Sequence, residues 1–343
     1  MNAFVIQLLQ FIAGLAILIV IHELGHFLAA RMLKVDIEEF GIGFPPRLAT
    51  MFESKGTKFT INMIPLGGFV RPKGENDPEV EGGLAAASPW VRLGVLFAGP
   101  LMNIAVGIIL AVVLLYNLGE PVPDRVLVLQ VVPGSPAAQA GLEADDFILQ
   151  INDIAVKTTD DLYEAIYANL GSEITLLYQR GDQLVETMLV PRENPPPEEG
   201  AIGIAMGYAT QPTTITKAIP RGFVVAVDYT KNVLSLPVRI AQGDVSPEQG
   251  RPLGYKGMFD VYQEIQNPLW FFMVISLSLG IFNLFPIPAL DGGRILLVLP
   301  EILIRRRVPQ KFENTLHLVG FTVLIILLIY INIQDFVNPI QIP

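Results

Sequence analysis

Four apolar runs constrain this chain more than any other feature. They cover roughly residues 4–30, 93–118, 268–290 and 315–333. Each is long enough to cross a hydrocarbon layer of about 30 Å as a helix. A lipid-embedded backbone must satisfy its own hydrogen bonds, and a helix does so within one segment. The first run does not read as a cleaved leader. It lacks a basic flank, its apolar stretch is too long, and "HELGH" stands where a cleavage site would come. We read it as a retained span.

The remaining residues are segregated by charge. Hydrophobic residues make up 51% of the 343 and charged residues 16%, against about 25% charged in soluble domains. Residues 120–267 hold ten Lys/Arg and twenty Asp/Glu, which accounts for the net charge of −10. That acidity argues against a nucleic-acid partner, which calls for a basic patch. With no cysteine, disulfides and thiolate metal sites are excluded, and a metal must rest on His, Asp or Glu.

Loop charge sets the expected orientation. Residues 31–92 carry eight Lys/Arg, and the loop after the third run holds Arg305, Arg306, Arg307 and Lys311. By the positive-inside rule both loops face the cytoplasm. Residues 119–267 and both termini then lie outside it. Within the first loop, 56–74 reads "GTKFTINMIPLGGFVRPKG". Its alternation and β-branched residues suggest a short hairpin, either packed on the helix ends or re-entrant with a free edge for an extended peptide. Such backbone is tolerated at membrane depth only where protein or water satisfies it.

The first run carries the chemistry. His22 and His26 are four apart, one above the other on a helix face, which suits one zinc ion. Glu23 is offset by about 100°. It stands near the metal without being a ligand, as a carboxylate that takes a proton from water needs to. Ionisable groups inside a span cost at least about 2.5 kcal/mol each and are functional by default. Zinc hydrolases use three protein ligands, and the candidates are few. His317 reads as an interfacial residue at the end of the fourth run. Asp291 in "NLFPIPALDGGR" is stronger, because Pro286 and Pro288 break an apolar helix just before it. Depth agrees: His22 lies about 27 Å along its helix from residue 4, and Asp291 follows a span that has crossed inward. A proton relay or structural polar cluster is the competing reading. An adaptor displaying its external domain, or a transporter, competes at the level of function.

Residues 125–193 read as a small β-rich domain. "VLVLQVV" is a strand, Ser135-Pro136 opens a helix and Gly141 closes it. "FILQIN" follows, then a helix opened by Thr159 and two strands joined at Gly181-Asp182. The pattern "GSPAAQAGL…D.I..IN" resembles a PDZ domain. Asp145 and Asp153 stand where that pattern has glycine, and Asp tolerates left-handed turns better than most residues. "NPPPEEG" at 194–200 reads as a stiff linker. Residues 218–240 read as an amphipathic helix, either on the membrane surface or as a plain connection.

"HELGH", "GPLMN" at 99–103, the PDZ-like domain and "NLFPIPALDGG" in this order resemble the site-2 protease family of intramembrane zinc metalloproteases, nearest the bacterial regulator-of-sigma-E protease type. The resemblance implies Zn2+ on His22, His26 and Asp291, Glu23 as catalytic base, and Asn283 positioning substrate or the oxyanion. It implies a re-entrant hairpin around Gly67-Gly68 and substrate contacts among Gly67, Gly68, Phe69, Asn103, Pro286 and Pro288. It implies single-span protein substrates, such as anti-sigma factors or remnant signal peptides, and a PDZ domain that binds a peptide or excludes bulky proteins. Two departures stand out. The chain has one PDZ-like domain where some members have two, and "PLGYKG" at 252–257 replaces a Ser-Gly-Pro sequence.

The expected fold is a polytopic α-helical membrane protein. It has four transmembrane helices, a cytoplasmic-side re-entrant β-hairpin at about 56–74 and an inserted extracytoplasmic PDZ domain of α+β type. The expected boundaries are 1–118 and 268–343 for the two halves of the membrane core, 119–194 for the PDZ domain and 195–267 for the linker and amphipathic helix. The expected location is the inner or plasma membrane, with the site toward the cytoplasm.

Overall fold

The computed structural model describes residues 3–196, 199–243, 245, 250–265 and 267–339. In chain order the elements are α1 (Ala3–Met32), β1 (Ile37–Ser54), β2 (Thr57–Pro72), α2 (Pro89–Leu118), β3 (Glu120–Val131), α3 (Pro136–Gln139), β4 (Phe147–Ile151) and β5 (Ile154–Ala155). Then come α4 (Thr159–Tyr167), β6 (Ile174–Arg180), β7 (Gln183–Leu189), β8 (Ile204–Gln211), α5 (Ile215–Gln242), α6 (Tyr255–Glu264), α7 (Pro268–Asn283), α8 (Asp291–Ile304) and α9 (Gln310–Val337). They form two compact units, one from residues 1–114 with 219–340, the other centred on 115–218.

The first unit is helical and apolar. Among the described residues α1, α2 and α9 are long and apolar enough to cross a membrane. The third expected span differs. Its helix α7 stops at Asn283 after 16 residues, about 24 Å, and a new helix begins at Asp291. The prolines explain the break. Pro286 and Pro288 cannot continue a helical ladder, and Ala289 turns the chain with φ +78°. Gly292 and Gly293 let α8 restart against that turn. A Cβ on Gly293 would collide with the Ile287 carbonyl oxygen, and one on Gly292 with those of Leu284 and Phe285.

Small residues bring the helices together. Gly25 of α1 lies against the Ala98 carbonyl of α2, and Gly280 of α7 against the Pro100 carbonyl. Ala111, Leu114, Met273 and Leu277 then pack with Ala226 of α5. That contact makes α5 more than a free surface helix: Tyr229 hydrogen-bonds Ser278 of α7 at 2.6 Å. Leu93 and Leu96 of α2 pack on Ile295 and Val298 of α8, and the buried Arg92 pairs with Glu301.

The hairpin is larger than its sequence reading. Its turn is at Lys55-Gly56, both with positive φ, rather than near Gly67-Gly68, and its partner strand β1 lies ahead of the expected 56–74 segment. Both strands bend. The first part of β1 pairs on one side with 58–61 and on the other with 68–72, so that Phe40 faces both Phe59 and Val70. The segment 68–72 is therefore an edge. Ile37 of β1 packs with Val35 and with Ala30, Leu84 and Val95 from the helices and the following loop.

The second unit is one antiparallel sheet in the order β7-β6-β4-β3-β8, with β5 on β4. Its core holds Val126, Val128, Ile148, Ile151, Leu162, Ile174 and Leu176, with α4 contributing Leu162. Ser135 caps α3 and Pro136 begins it, as the sequence implies. Three details differ from the sequence reading. The cap of α4 is Thr158, one residue earlier than expected, in a capping box with Asp161. Asp145 takes positive φ, but at the next turn Asn152 does so, not Asp153. The expected linker region 195–267 supplies β8, which pairs with β3; small residues alternate with its larger ones in "IAMGYATQ", which gives it a weak strand signal. Pro197 and Glu198 of the expected linker lie outside the described residues.

Candidate metal centre

Three donor atoms converge inside the helical unit. His22 Nε2 is 3.1 Å from Asp291 Oδ2 and 3.1 Å from His26 Nε2. His26 Nε2 is 3.3 Å from Asp291 Oδ2. No other group of three or more His, Asp or Glu among the described residues meets in this way. The triangle fits one ion. Ligands about 2.0–2.1 Å from a tetrahedral zinc are separated by about 3.3 Å, close to all three edges. The donors, two imidazoles and one carboxylate, are those zinc hydrolases use.

Each donor is held from behind. The Nδ1 of His26 donates to the Val95 carbonyl at 2.8 Å, which leaves its Nε2 lone pair directed into the triangle. Asp291 is the first residue of α8, where the helix dipole favours a carboxylate. Gly99 of α2 makes room, since a Cβ there would strike Nε2 of both histidines. This role of Gly99 could not be read from spacing, because it depends on how closely α1 and α2 approach.

The triangle opens on a cavity of about 260 Å3. His22, Glu23, His26 and Asp291 line it together with Phe69 and Val70 of the hairpin edge, Asn283, Ala289, Leu290 and Arg294. Glu23 accepts a hydrogen bond from the Val70 N–H at 3.0 Å, so the outward face of the edge strand meets the carboxylate beside the donors. Asn283 donates one amide N–H to the Leu279 carbonyl at 2.9 Å, and its second N–H remains for another acceptor.

The other expected substrate contacts lie elsewhere. Gly67 and Gly68 do not line the cavity. They let the hairpin press on α1, where a Cβ on Gly67 would come within 2.9 Å of Ile19. Pro286 is exposed and Pro288 packs against Gly320 of α9. Asn103 has 0% exposure and faces His22 from behind, with Nδ2 3.4 Å from His22 Nδ1. His317 does not join the donors; its Nδ1 accepts from the Ala289 N–H at 3.1 Å and steadies the turn before Asp291.

The sequence profile of peptidase family M50 matches residues 10–327. The chain belongs to that family, the site-2 proteases. This M50 protein is 31% identical over 333 residues to a Clostridium perfringens protein whose name assigns it to the zinc metalloproteases, covering 94% of this chain and 96% of that one. It is 27% identical over 417 residues to the zinc metalloprotease RasP of Oceanobacillus iheyensis, covering 95% and 97%. A solved PDZ domain of an SdrC-like protein from Listeria monocytogenes matches 25% of this M50 chain and 92% of its own, at 26% identity and a TM-score of 0.22. The protein is thus a zinc metalloprotease with apolar helices fitted to a membrane.

Proposed function

We propose that this protease hydrolyses peptide bonds within or near the membrane segments of single-span proteins, with His22, His26 and Asp291 as zinc ligands. One observation carries the reading: Glu23 and Phe69, Val70 and Pro72 of the edge segment meet on the same cavity as the three donors. Zinc held there supplies the Lewis acidity that makes water a nucleophile near neutral pH. Glu23 takes the proton from the attacking water as its oxygen bonds to the acyl carbon. It returns that proton to the amine nitrogen as the C–N bond breaks. Asn283, through its second N–H, steadies the charge on the acyl oxygen.

A helical substrate hides its backbone, so it must unwind before cleavage. The hairpin edge offers an extended segment the hydrogen bonds it loses, as in strand addition, with Phe69 and Val70 facing the cavity. Four membrane crossings complete the topology, with α7 as the short third one. Loop basicity supports a metal centre toward the cytoplasm, with the sheet unit, of PDZ type, outside. There that unit takes a peptide or turns away proteins with bulky external domains.

A tagged single-span protein co-expressed with wild type, Glu23→Gln and Asp291→Ala tests this. Glu23→Gln keeps its zinc and loses about 10^2- to 10^4-fold in cleavage rate. Asp291→Ala loses both zinc and cleavage. Cleavage by Glu23→Gln at the wild-type rate removes Glu23 as base, and full zinc occupancy in Asp291→Ala removes it as ligand.

A further inference from the structure

The two histidines are supported differently from behind. His26 donates its Nδ1 proton to a backbone carbonyl, that of Val95. A carbonyl oxygen can only accept, so that ring carries its proton on Nδ1 and its lone pair on Nε2. For His22 the group in that place is a side chain. Its Nδ1 meets the amide of Asn103, 3.4 Å away. An amide offers an acceptor at one end and a donor at the other, and which end faces the ring decides the His22 tautomer.

With Nδ2 toward the ring, Nδ1 would accept and Nε2 would carry the proton. That proton would point between Asp291 Oδ2 and His26 Nε2, both 3.1 Å from His22 Nε2, into the place an ion would take. With Oδ1 toward the ring, Nδ1–H donates and the Nε2 lone pair joins the other two donors. The amide atoms differ by hydrogens alone, so either orientation fills the same volume. With Nδ2 toward the ring, Oδ1 at the other end of the amide has no partner among the described residues, so no bond there holds that orientation. The choice therefore rests on the ring, and two convergent imidazoles and a carboxylate admit the second orientation.

We propose that Asn103 is a positioning residue for the metal centre, its Oδ1 accepting from His22 Nδ1 and holding that ring in the zinc-binding tautomer. The inference rests on His22 being a ligand. The surroundings suit a fixed support. Asn103 has 0% exposure, so no water competes for the bond. Its own carbonyl accepts from Ser276 Oγ of α7 at 2.8 Å, and Ser276 also has 0% exposure. Gly99, one turn earlier on α2, leaves the space the two rings occupy. Thus a single face of α2 both admits the imidazoles and directs one of them. The "GPLMN" stretch spaces these residues four apart, which stacks them on that face.

The test is zinc affinity of the purified full-length protein, measured by competition with a chelator. Asn103→Leu keeps the volume and removes the acceptor; it should weaken zinc about 10- to 100-fold, as loss of a partner behind a ligating histidine does. Asn103→Asp, which can accept but not donate, should return affinity to within about threefold of wild type. Leucine at wild-type affinity overturns the inference, and so does aspartate no better than leucine. If Asn103→Leu fails to fold, the aspartate variant decides alone: a group that donated to His22 cannot be replaced by a carboxylate without loss. His22→Ala separates this idea from the ligand set. Zinc retained in His22→Ala overturns both, whereas zinc lost there but kept in Asn103→Leu overturns the support alone. Histidine-selective 15N NMR gives a second readout, tractable with three histidines in the chain: Nδ1 of His22 should be protonated in wild type and Asn103→Asp.

Discussion

Two aspartates, one buried in the sheet unit and one part-buried in the helical unit, show how differently this protein treats a carboxylate drawn away from water. Asp146 in the sheet unit has 0% exposure. It is gripped by both arms of Arg180, at 2.8 Å and 2.7 Å, and also accepts from the Glu143 N–H. Asp291 in the helical unit faces two imidazoles whose nitrogens point at it and at each other. A guanidinium neutralises Asp146 and occupies its lone pairs. Arg294, which lines the same cavity, pairs with Glu75 rather than with Asp291. A buried acid with a fitted cation is structure, and one that gathers further lone pairs is a place for a metal.

The comparison can be broken most severely at the triangle. Replacing His26 by alanine should abolish zinc binding and proteolysis, while the sheet unit keeps its melting transition. Chelator treatment of the wild type should do the same reversibly, read by calorimetry and cleavage in parallel. If the sheet unit melts earlier when zinc is withdrawn, the two aspartates are not independent. Gly99→Ala comes next. The added methyl displaces both rings, and a shift on the order of 1 Å in a catalytic group costs about 100-fold in rate. Wild-type activity in the Gly99→Ala enzyme would show that the helices can part.

At Asp146 the expected effects are on stability. Arg180→Met leaves a buried carboxylate unpaired and should cost about 3 kcal/mol. That is the low end of the range because the guanidinium is partly in water. Zinc content should not change, and a loss of zinc would contradict the division into units. The smallest effect is at the cap of α4. Thr158→Ala should cost about 1 kcal/mol. There the Lys157 and Thr158 N–H groups hold the Asp161 carboxyl below the usual carboxylate range. Its contribution is full at neutral pH and is lost only as pH falls through that lowered value, below about pH 4. A helix α4 that loosens between about pH 7 and pH 5 would point to another group.

How much of this could be read beforehand depended on the range of the interactions. Helix α1 and the pair His22 and His26 follow from periodicity within one segment. Asp291 could be named because prolines broke an apolar run beside it. The extent of the hairpin could not, since β1 contains Pro45 and Pro46 and reads as a broken stretch until β2 folds along both of its sides. Strand β8 has the same problem: it is recognisable only by its pairing with β3. Asn103 was expected to touch substrate. On a helix wheel it shows an amide on an apolar face, and nothing in the wheel says whether a cavity or a histidine lies opposite.

By itself the sequence determined which segments suit a membrane, which residues are candidates for chemistry, and that ligands for a metal would have to come from very few side chains. Those facts follow from local hydropathy, helix periodicity and the absence of cysteine. Tertiary structure decided the rest: that α7 ends before the three convergent donors, that the 68–72 edge reaches Glu23, and that α2 contacts both histidines. These depend on distances between segments far apart in the chain, set by where glycines let backbones approach, and no local pattern encodes them.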